Sequence, residues 1–216
     1  PQRKAGGAFR DNYGCVWHGE FDGITGVVDE HPLEYWDAFE DFEMPDPETQ
    51  KPLGSVDWDA ERRRMARLKK QGKLRMAGTE HGFLFLRLYY LRGFENLMMD
   101  MATGEPRLHE LIEMITEYTL YQVERYIEMD VDVFGLAEDL GAQDRSVMGP
   151  RMFEKWIAPA YRRLIEPLVV LGGIYETERR ETVTKVPWLG DIPGVGNLFK
   201  SRSRLSDKAE LLIFVT

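Results

Sequence analysis

The spacing of apolar positions changes character twice along this chain. Residues 11–33, DNYGCVWHGEFDGITGVVDEHPL, interleave aromatic and β-branched residues with Gly23 and Gly26, the pattern of short strands separated by turns. They predict a small β ribbon. The run PDPETQKP between Pro45 and Pro52 is proline-rich and polar, as surface connections are. From Asp57, DWDAERRRMARLKKQG has an acidic start, a basic end and Gly72 just beyond, the charge order and stop signal of a helix. KLRMAGT, residues 73–79, reads as a buried strand. FLFLRLYYLRGFENLMMDMA carries large apolar residues on nearly every side, predicting one or more helices that are mostly buried. Leu108, Leu111, Ile112, Ile115, Val123, Tyr126 and Ile127 recur at spacings of three, four and their sums, predicting one long amphipathic helix that ends near Met129. DVDVFGLAEDL follows as a strand with a carboxylate pair at its C-terminal end. Pro150 opens the next helix, RMFEKWIAPAYRRLIEP, with a kink expected at Pro159.

Helix, strand, helix, strand, helix with short connections is the order of right-handed βαβ units in a parallel sheet. Barrel and open sheet both satisfy it. In either, chemistry belongs at the C-terminal strand ends, which here carry Thr79, Glu80 and His81, and then Glu138, Asp139 and Gln143. From Val169 the pattern switches: VVLGGIYE and AELLIFVT are β-rich, and VTKVPWLGDIPGVGNLFKSRS between them is dense in Gly and Pro. That order predicts two strands flanking a long structured loop. Val170 to about Thr182 is expected to pair antiparallel with Glu210–Val215, with Val186–Ser203 folded back as a compact loop.

Charge supports a boundary at the same place. Residues 1–168 hold 31 acidic against 21 basic residues, and residues 169–216 hold 6 against 7. An acidic body argues against nucleic acid as a partner, because that affinity rests on Lys and Arg neutralising phosphates. With 43% hydrophobic and 30% charged residues, the composition is that of a globular protein able to bury a core. A single cysteine, Cys15, excludes an internal disulfide framework. The longest apolar run, Leu211–Val215, falls far short of the ~18 residues of a membrane helix. PQRKAGGAFR at the N-terminus has no apolar signal core. The expectation is a body that stays off membranes, in the cytoplasm, and a chain that, starting at Pro1, is a fragment or a processed product.

Four constellations invite a chemical reading. Glu138 and Asp139, with Gly141 and Gln143 following, suit a pocket for a cationic or hydrogen-bonding small molecule. The same pair also suits a helix cap and a salt bridge. Glu80 and His81 suit an acid and base pair, His being the side chain that titrates nearest neutrality, and equally a cap for the helix after them. Cys15 and His18 have half the spacing of a zinc site, but no second pair follows. A buried cysteine and a surface histidine are expected, with no metal and no cofactor. Gly190, Gly194 and Gly196 do not make a dinucleotide loop, since Phe199 stands where the last glycine belongs.

DNYGCVWHGEFDGITGVVDEHPLEYWDAFEDFEMPDP resembles the "D-x-W-G-x-x-W … HPL … PDP" region of the uroporphyrinogen decarboxylase family, with Tyr13 in place of the usual Trp. The stretch from Leu88 to Pro167 resembles the family's "L-R-G-F-E-N-x-x-x-D" helix, its "D-D-x-G-x-Q" strand end and its "S-P-x-x-F … P-x-Y-x-x-L" helix. The resemblance implies an α/β fold, a (β/α)8 (TIM-type) barrel of which residues 1–168 make an incomplete segment. It implies that Glu138, Asp139, Gly141 and Gln143 lie at a pocket-facing strand end, Glu138 replacing the family's first Asp. Family members decarboxylate porphyrinogen acetates without a cofactor, or transfer methyl groups between corrinoid proteins and thiols using zinc. The family's arginine-rich N-terminal motif and its late His and Cys zinc motif have no counterpart here.

Residues 169–216 resemble the C-terminal end of a secretin, the outer-membrane ring of type II and type III secretion and of type IV pili. Gly172 and Gly173 after an apolar run, then VPWLGDIP with Pro187, Gly190, Asp191 and Pro193, carry that resemblance. The expectation is therefore a chimera: a partial barrel over 1–168 and a β-hairpin-like tail over 169–216. The first function it implies is a fragment of a lyase or methyltransferase-type enzyme acting on a small molecule. The second is a fragment of an outer-membrane pore subunit, for which alone ring partners and an outer-membrane location follow.

Overall fold

The computed structural model of the chain describes residues 7–19, 26–141, 145–170, 182–185, 200–203 and 212–214. The sequence separates into two compact units, 1–174 with 211–216, and 175–210.

The first unit opens with the predicted ribbon. Strands β1 (Ala8–Arg10), β2 (Val16–His18) and β3 (Val27–Glu30) form an antiparallel sheet in that order. Its tight turn is organised by one buried carboxylate. Asp11 Oδ1 accepts the amides of Tyr13 and Cys15 at 3.0 and 2.9 Å, and Oδ2 accepts Trp17 Nε1 at 2.9 Å. Asp46 opens the expected surface connection by taking the Glu48 amide and the Thr49 hydroxyl, the self-bonding that makes Asp a turn former.

Helix α1 (Trp58–Lys70) starts at Asp57, whose side chain accepts the Ala60 amide, and ends in Arg67, Lys69 and Lys70. Strand β4 (Met76–Gly78) then runs parallel to β5 (Val133–Gly135), with Met76, Ala77 and Gly78 opposite Val133, Phe134 and Gly135. A side chain at Gly78 would put its Cβ 2.6 Å from the Gly135 carbonyl oxygen, so the strand pair closes on a position only glycine fills. Phe134 is fully buried and meets Tyr126 of the long helix, so this face of the pair carries the helical layer. Met76, on the alternate face, is 53% exposed.

The apolar stretch after β4 forms two helices, α2 (Phe85–Arg92) and α3 (Phe94–Thr103). Gly93 divides them at φ +76°, and its Cα faces the His31 ring closely enough that a Cβ would sit 3.2 Å away. Helix α4 (Pro106–Glu128) has Pro106 at its first turn and buries Leu108, Leu111, Ile112, Ile115, Val123 and Tyr126 of the predicted stripe, with Ile127 half-buried at its end. The expected kink at Pro159 is a break. Helix α5 (Pro150–Trp156) stops, and α6 (Ala158–Val170) starts with Pro159 in its first turn, where the missing N–H removes no helical bond. Helix α6 packs on α4, with Arg163 paired to Glu113 at 2.7 Å and to Glu117.

The tail departs from the expected pairing. In the second unit β6 (Thr182–Lys185) pairs antiparallel with β7 (Lys200–Ser203). The expected partner of Thr182, the strand β8 (Leu212–Phe214), belongs to the first unit and pairs antiparallel with β5. The physical reason is the chemistry of the strands. Leu-Ile-Phe is apolar and is favoured on a sheet that already has a packed face, which a two-stranded ribbon with the polar strand TVTK would not give it. The remainder of the expected loop lies outside the described residues, as do Gly172, Gly173, Pro187, Gly190, Asp191 and Pro193.

The approach to the parallel pair is tied by ions. Arg75, just before β4, bonds Asp132 through its backbone amide (2.8 Å) and Nε (2.9 Å), and reaches Asp130 at 2.6 Å, where Lys69 also binds at 2.8 Å. Hydrogen bonds from Lys69 and Arg75 hold the Asp130 carboxyl down at about 2. Asp130 sits at φ 58° after the C-terminus of α4, a conformation Asn also tolerates. Because the folded pKa is depressed, this contribution is present above the unfolded value of about 3.9 and fades as pH falls toward 2. Asp130→Asn is therefore expected to cost less than about 1 kcal/mol at pH 7, the side chain being exposed. The gap between its denaturation midpoint and that of the parent should close between pH 4 and 2; a gap independent of pH would contradict the assignment.

Candidate functional site

The C-terminal ends of β4 and β5 meet as the sequence implies. Backbone bonds continue past the strands, Thr79 N–H to the Gly135 carbonyl at 3.0 Å and Gly82 N–H to the Ala137 carbonyl at 2.9 Å. They lay the Thr79–Gly82 segment along residues 135–137, and the candidate residues of both strand ends come together. His81 Nε2 lies 3.4 Å from Asp139 Oδ2, both side chains being more than half exposed. This pair forms the rim. Gln143 lies outside the described residues.

Glu138 points the other way. Its Oε2 accepts the amides of Leu84 and Phe85 at 3.0 and 2.7 Å, and its Oε1 accepts that of Leu86 at 2.9 Å. Those are the free N–H groups at the start of α2, whose own N-cap, Leu84, supplies no side-chain acceptor. A carboxylate 52–54 positions away thus caps the helix. Tyr161 of α6 adds its hydroxyl to Oε2 at 3.2 Å. Burial pushes the Glu138 carboxyl above its ordinary range, opposed by the three amides and the phenol. Burial and the nearby Glu138 push the Tyr161 phenol up as well. Glu80 and His81 do not cap α2, because Glu138 already does.

Along the Thr79–Gly82 segment lies a narrow crevice of about 10 Å³ among Tyr13, Thr79, Glu80, Arg87, Tyr118 and Gln122, room for about one water. Arg87 of α2 is nearly fully buried, 3.4 Å from Asp11 Oδ2 and with its guanidinium 4.2 Å from the centre of the Tyr13 ring. The Tyr118 hydroxyl donates to the Gln50 carbonyl at 2.9 Å and is bonded by Tyr13 and Gln122. Burial pushes the phenols of Tyr13, Tyr118 and Tyr90 up, so all three stay protonated donors through neutral pH. The Thr79 hydroxyl is buried and has no hydrogen-bond partner among the described residues. The crevice therefore holds a cation paired with Asp11, two neutral phenols whose protons are already engaged, an amide, the unpartnered Thr79 hydroxyl and the Glu80 carboxylate. Apart from Thr79 and Glu80, these residues come from α2, α4 and the N-terminal ribbon, and no local spacing announces them. The sequence signal for them is Arg87, a charge among the large apolar residues of α2, which it shares with Arg92.

Cys15 and His18 do not converge. The Cys15 thiol is buried against the Tyr90 carbonyl at 3.3 Å, its pKa pushed up first by burial and then by Asp11. His18 faces Asp29 from the surface at 4.0 Å. Among the described residues, no group of three His, Cys, Asp or Glu side chains is placed to hold a metal ion.

Residues 16–177 match the uroporphyrinogen decarboxylase (URO-D) family. The chain belongs to that family. Its signature segment, which spans the end of α2, Gly93 and the start of α3, has a structural role that the resemblance alone does not explain. In LRGFENLMMD, Arg92 bonds Asp100 at 2.8 Å, the Leu33 carbonyl, and the Glu34 carbonyl at 2.8 Å, and Asn96 adds a bond to Glu34 at 3.0 Å. Asp100 in turn accepts Trp36 Nε1 at 3.1 Å. The URO-D-family "HPL" segment is thereby clamped to α2 and α3. Residues 166–216 match the secretin family, described as bacterial type II and III secretion system protein. Curated relatives are secretins or a type IV pilus protein, matched over 48 residues or, in one case, over a longer stretch. A type IV pilus biogenesis and competence protein PilQ of Neisseria meningitidis is 58% identical over 48 residues, covering 22% of this chain and 6% of that protein. Secretin GspD 2 of Escherichia coli is 50% identical over 48 residues, covering 22% and 7%. A putative secretin GspD of Escherichia coli is 34% identical over 120 residues, 54% of this chain and 18% of that protein. The chain thus spans only a small part of the length of these relatives. No solved structure matches it.

Replacing Glu138 with Ala leaves three buried amides without a partner. The expected cost is on the order of 3 kcal/mol in denaturant unfolding. Asp139→Ala, losing only an exposed ion pair, is expected to stay within about 0.5 kcal/mol. Equal costs would show that the Glu138 cap is not what holds α2.

Proposed function

We propose that residues 1–168 are a partial URO-D-family barrel whose β4 and β5 ends receive one side of a small-molecule substrate, and that this chain alone does not turn it over. The reading rests chiefly on one observation. His81 of the β4 end and Asp139 of the β5 end pair 3.4 Å apart on the exposed side of the two strand ends, and Glu80, next to His81 in the chain, lines a crevice with Arg87 and two neutral phenols. In a barrel, catalytic groups come from several strand ends around a closed ring of ~250 residues. Two neighbouring strand ends supply only a fraction of such a ring. A hydrogen-bonding edge of a ligand, such as pyrrole N–H groups, suits Asp139 and Glu80, whereas Arg87 is already paired with Asp11 inside a crevice that holds about one water. The body is a cytoplasmic-type piece joined near residue 168 to a secretin-type tail, and the decarboxylase and methyltransferase branches of the family both remain compatible with it.

The test is an NMR titration of the full chain with uroporphyrin, a polycarboxylated tetrapyrrole. Shifts are expected at Glu80, His81 and Asp139, and Glu80→Gln with His81→Ala should remove them. Shifts that are absent or confined elsewhere would overturn the site. Release of carbon dioxide from the reduced porphyrinogen would overturn the claim of incompleteness.

The 58% identity to PilQ over 48 residues supports a second reading, a pore-forming tail. Antiparallel barrels cross a membrane only when every edge is paired, and a single tail carries too few strands. No helix among the described residues is long and apolar enough to cross a membrane, which leaves β structure as the route to test. Full-length protein added to liposomes is expected to give neither detergent-resistant multimers nor stepwise conductance. Either result would establish the tail as the working part.

A further inference from the structure

The parallel pair β4–β5 has one edge beyond β5, and the chain's own last strand lies on it. Val133, Phe134 and Gly135 stand opposite Phe214, Ile213 and Leu212. The hydrogen-bond register shows which groups this pairing serves. The Val133 amide goes to the Arg75 carbonyl on the β4 side, and the Thr79 amide comes from that side to the Gly135 carbonyl. Amides alternate in direction along a strand, so the Phe134 N–H and carbonyl face away from β4. They face Ile213. In an antiparallel ladder such opposed residues exchange both bonds, making Phe134 and Ile213 the hydrogen-bonded pair of this junction.

Phe134 is fully buried, and Val133 and Leu136 are buried on either side of it. An unpaired strand in that setting is a template for any extended apolar segment. We propose that the β5 edge is a strand-acceptor site, that Leu212–Phe214 fills it within the same chain, and that this filling keeps a second copy of the chain from pairing there. The secretin-like end of the sequence thus acts as an edge guard for the URO-D-like body. The proposal does not depend on any substrate at the β4 and β5 ends, so it stands or falls apart from the proposed function.

Hydrogen exchange on the full chain tests the pairing directly. The Phe134 amide is expected to be protected, and Ile213→Pro, which removes the donor to the Phe134 carbonyl, should speed its exchange by at least about tenfold. The amides of Ile115 and Thr119 in α4 should not change, which shows that the variant is still folded. Light scattering should find the parent monomeric and Ile213→Pro dimeric at the same concentration, and excess peptide of the sequence ELLIFVT should return the variant to monomer. A Phe134 amide that exchanges freely in the parent chain overturns the pairing whether or not the variant folds. Equal protection in both chains does the same, and a deprotected variant that stays monomeric overturns the guarding role.

Discussion

The capping of α2 by Glu138 is the interaction on which the arrangement of the body depends. A short helix, Phe85–Arg92, begins against the sheet with three amides that its own sequence cannot satisfy. The carboxylate that satisfies them arrives from the end of β5. One contact thereby couples the strand end to the helix, and Tyr161 extends the coupling to α6. The carboxyl is buried enough that desolvation outweighs its donors in setting its protonation. Such a group is tolerable only where its bonds are all made.

Helix α2 then distributes this anchoring through two buried arginines. Arg87 reaches Asp11 and so holds the ribbon, whose turn is built on the same carboxylate. Arg92 reaches Asp100 and the carbonyls of Leu33 and Glu34, and so holds the segment between ribbon and α1. Each guanidinium also lies on an aromatic face, Arg87 over Tyr13 and Arg92 over Trp36 at 4.1 Å. Breaking one partner of such a pair leaves a buried charge alone, which costs far more than the pair contributes. The candidate site inherits this rigidity, since Arg87 belongs at once to the scaffold and to the crevice.

The two family matches meet in residues 166–177, and the structural units divide close by, after residue 174. Helix α6 carries the first family's pattern to its end, and the second family's apolar final strand lies back on the first unit's sheet. A backbone ladder needs extended geometry and alternate amides rather than shared ancestry, so an unrelated strand satisfies an edge as well as a native one.

The sequence by itself determined what depends on neighbours in the chain. The helices over 58–70 and 106–128 follow from 3.6-residue periodicity, capping residues and charge order. The strand ends carrying Glu80, His81, Glu138 and Asp139 follow from the alternation of helix and strand. Composition changes from Val169, but the expected strand does not start there, since α6 runs on to Val170. Only the tertiary structure decided how those groups are used. Glu138 and Asp139 are adjacent in sequence, yet one is buried under a helix 52–54 residues away and the other is at the rim with His81. Tyr13, Arg87, Tyr118 and Gln122 share a crevice although no spacing relates them. The last strand left its expected hairpin for β5. Local pattern records a residue's propensity and the face it presents, whereas a hydrogen-bond partner or a desolvated charge pair is set by long-range packing, on which local periodicity carries no information.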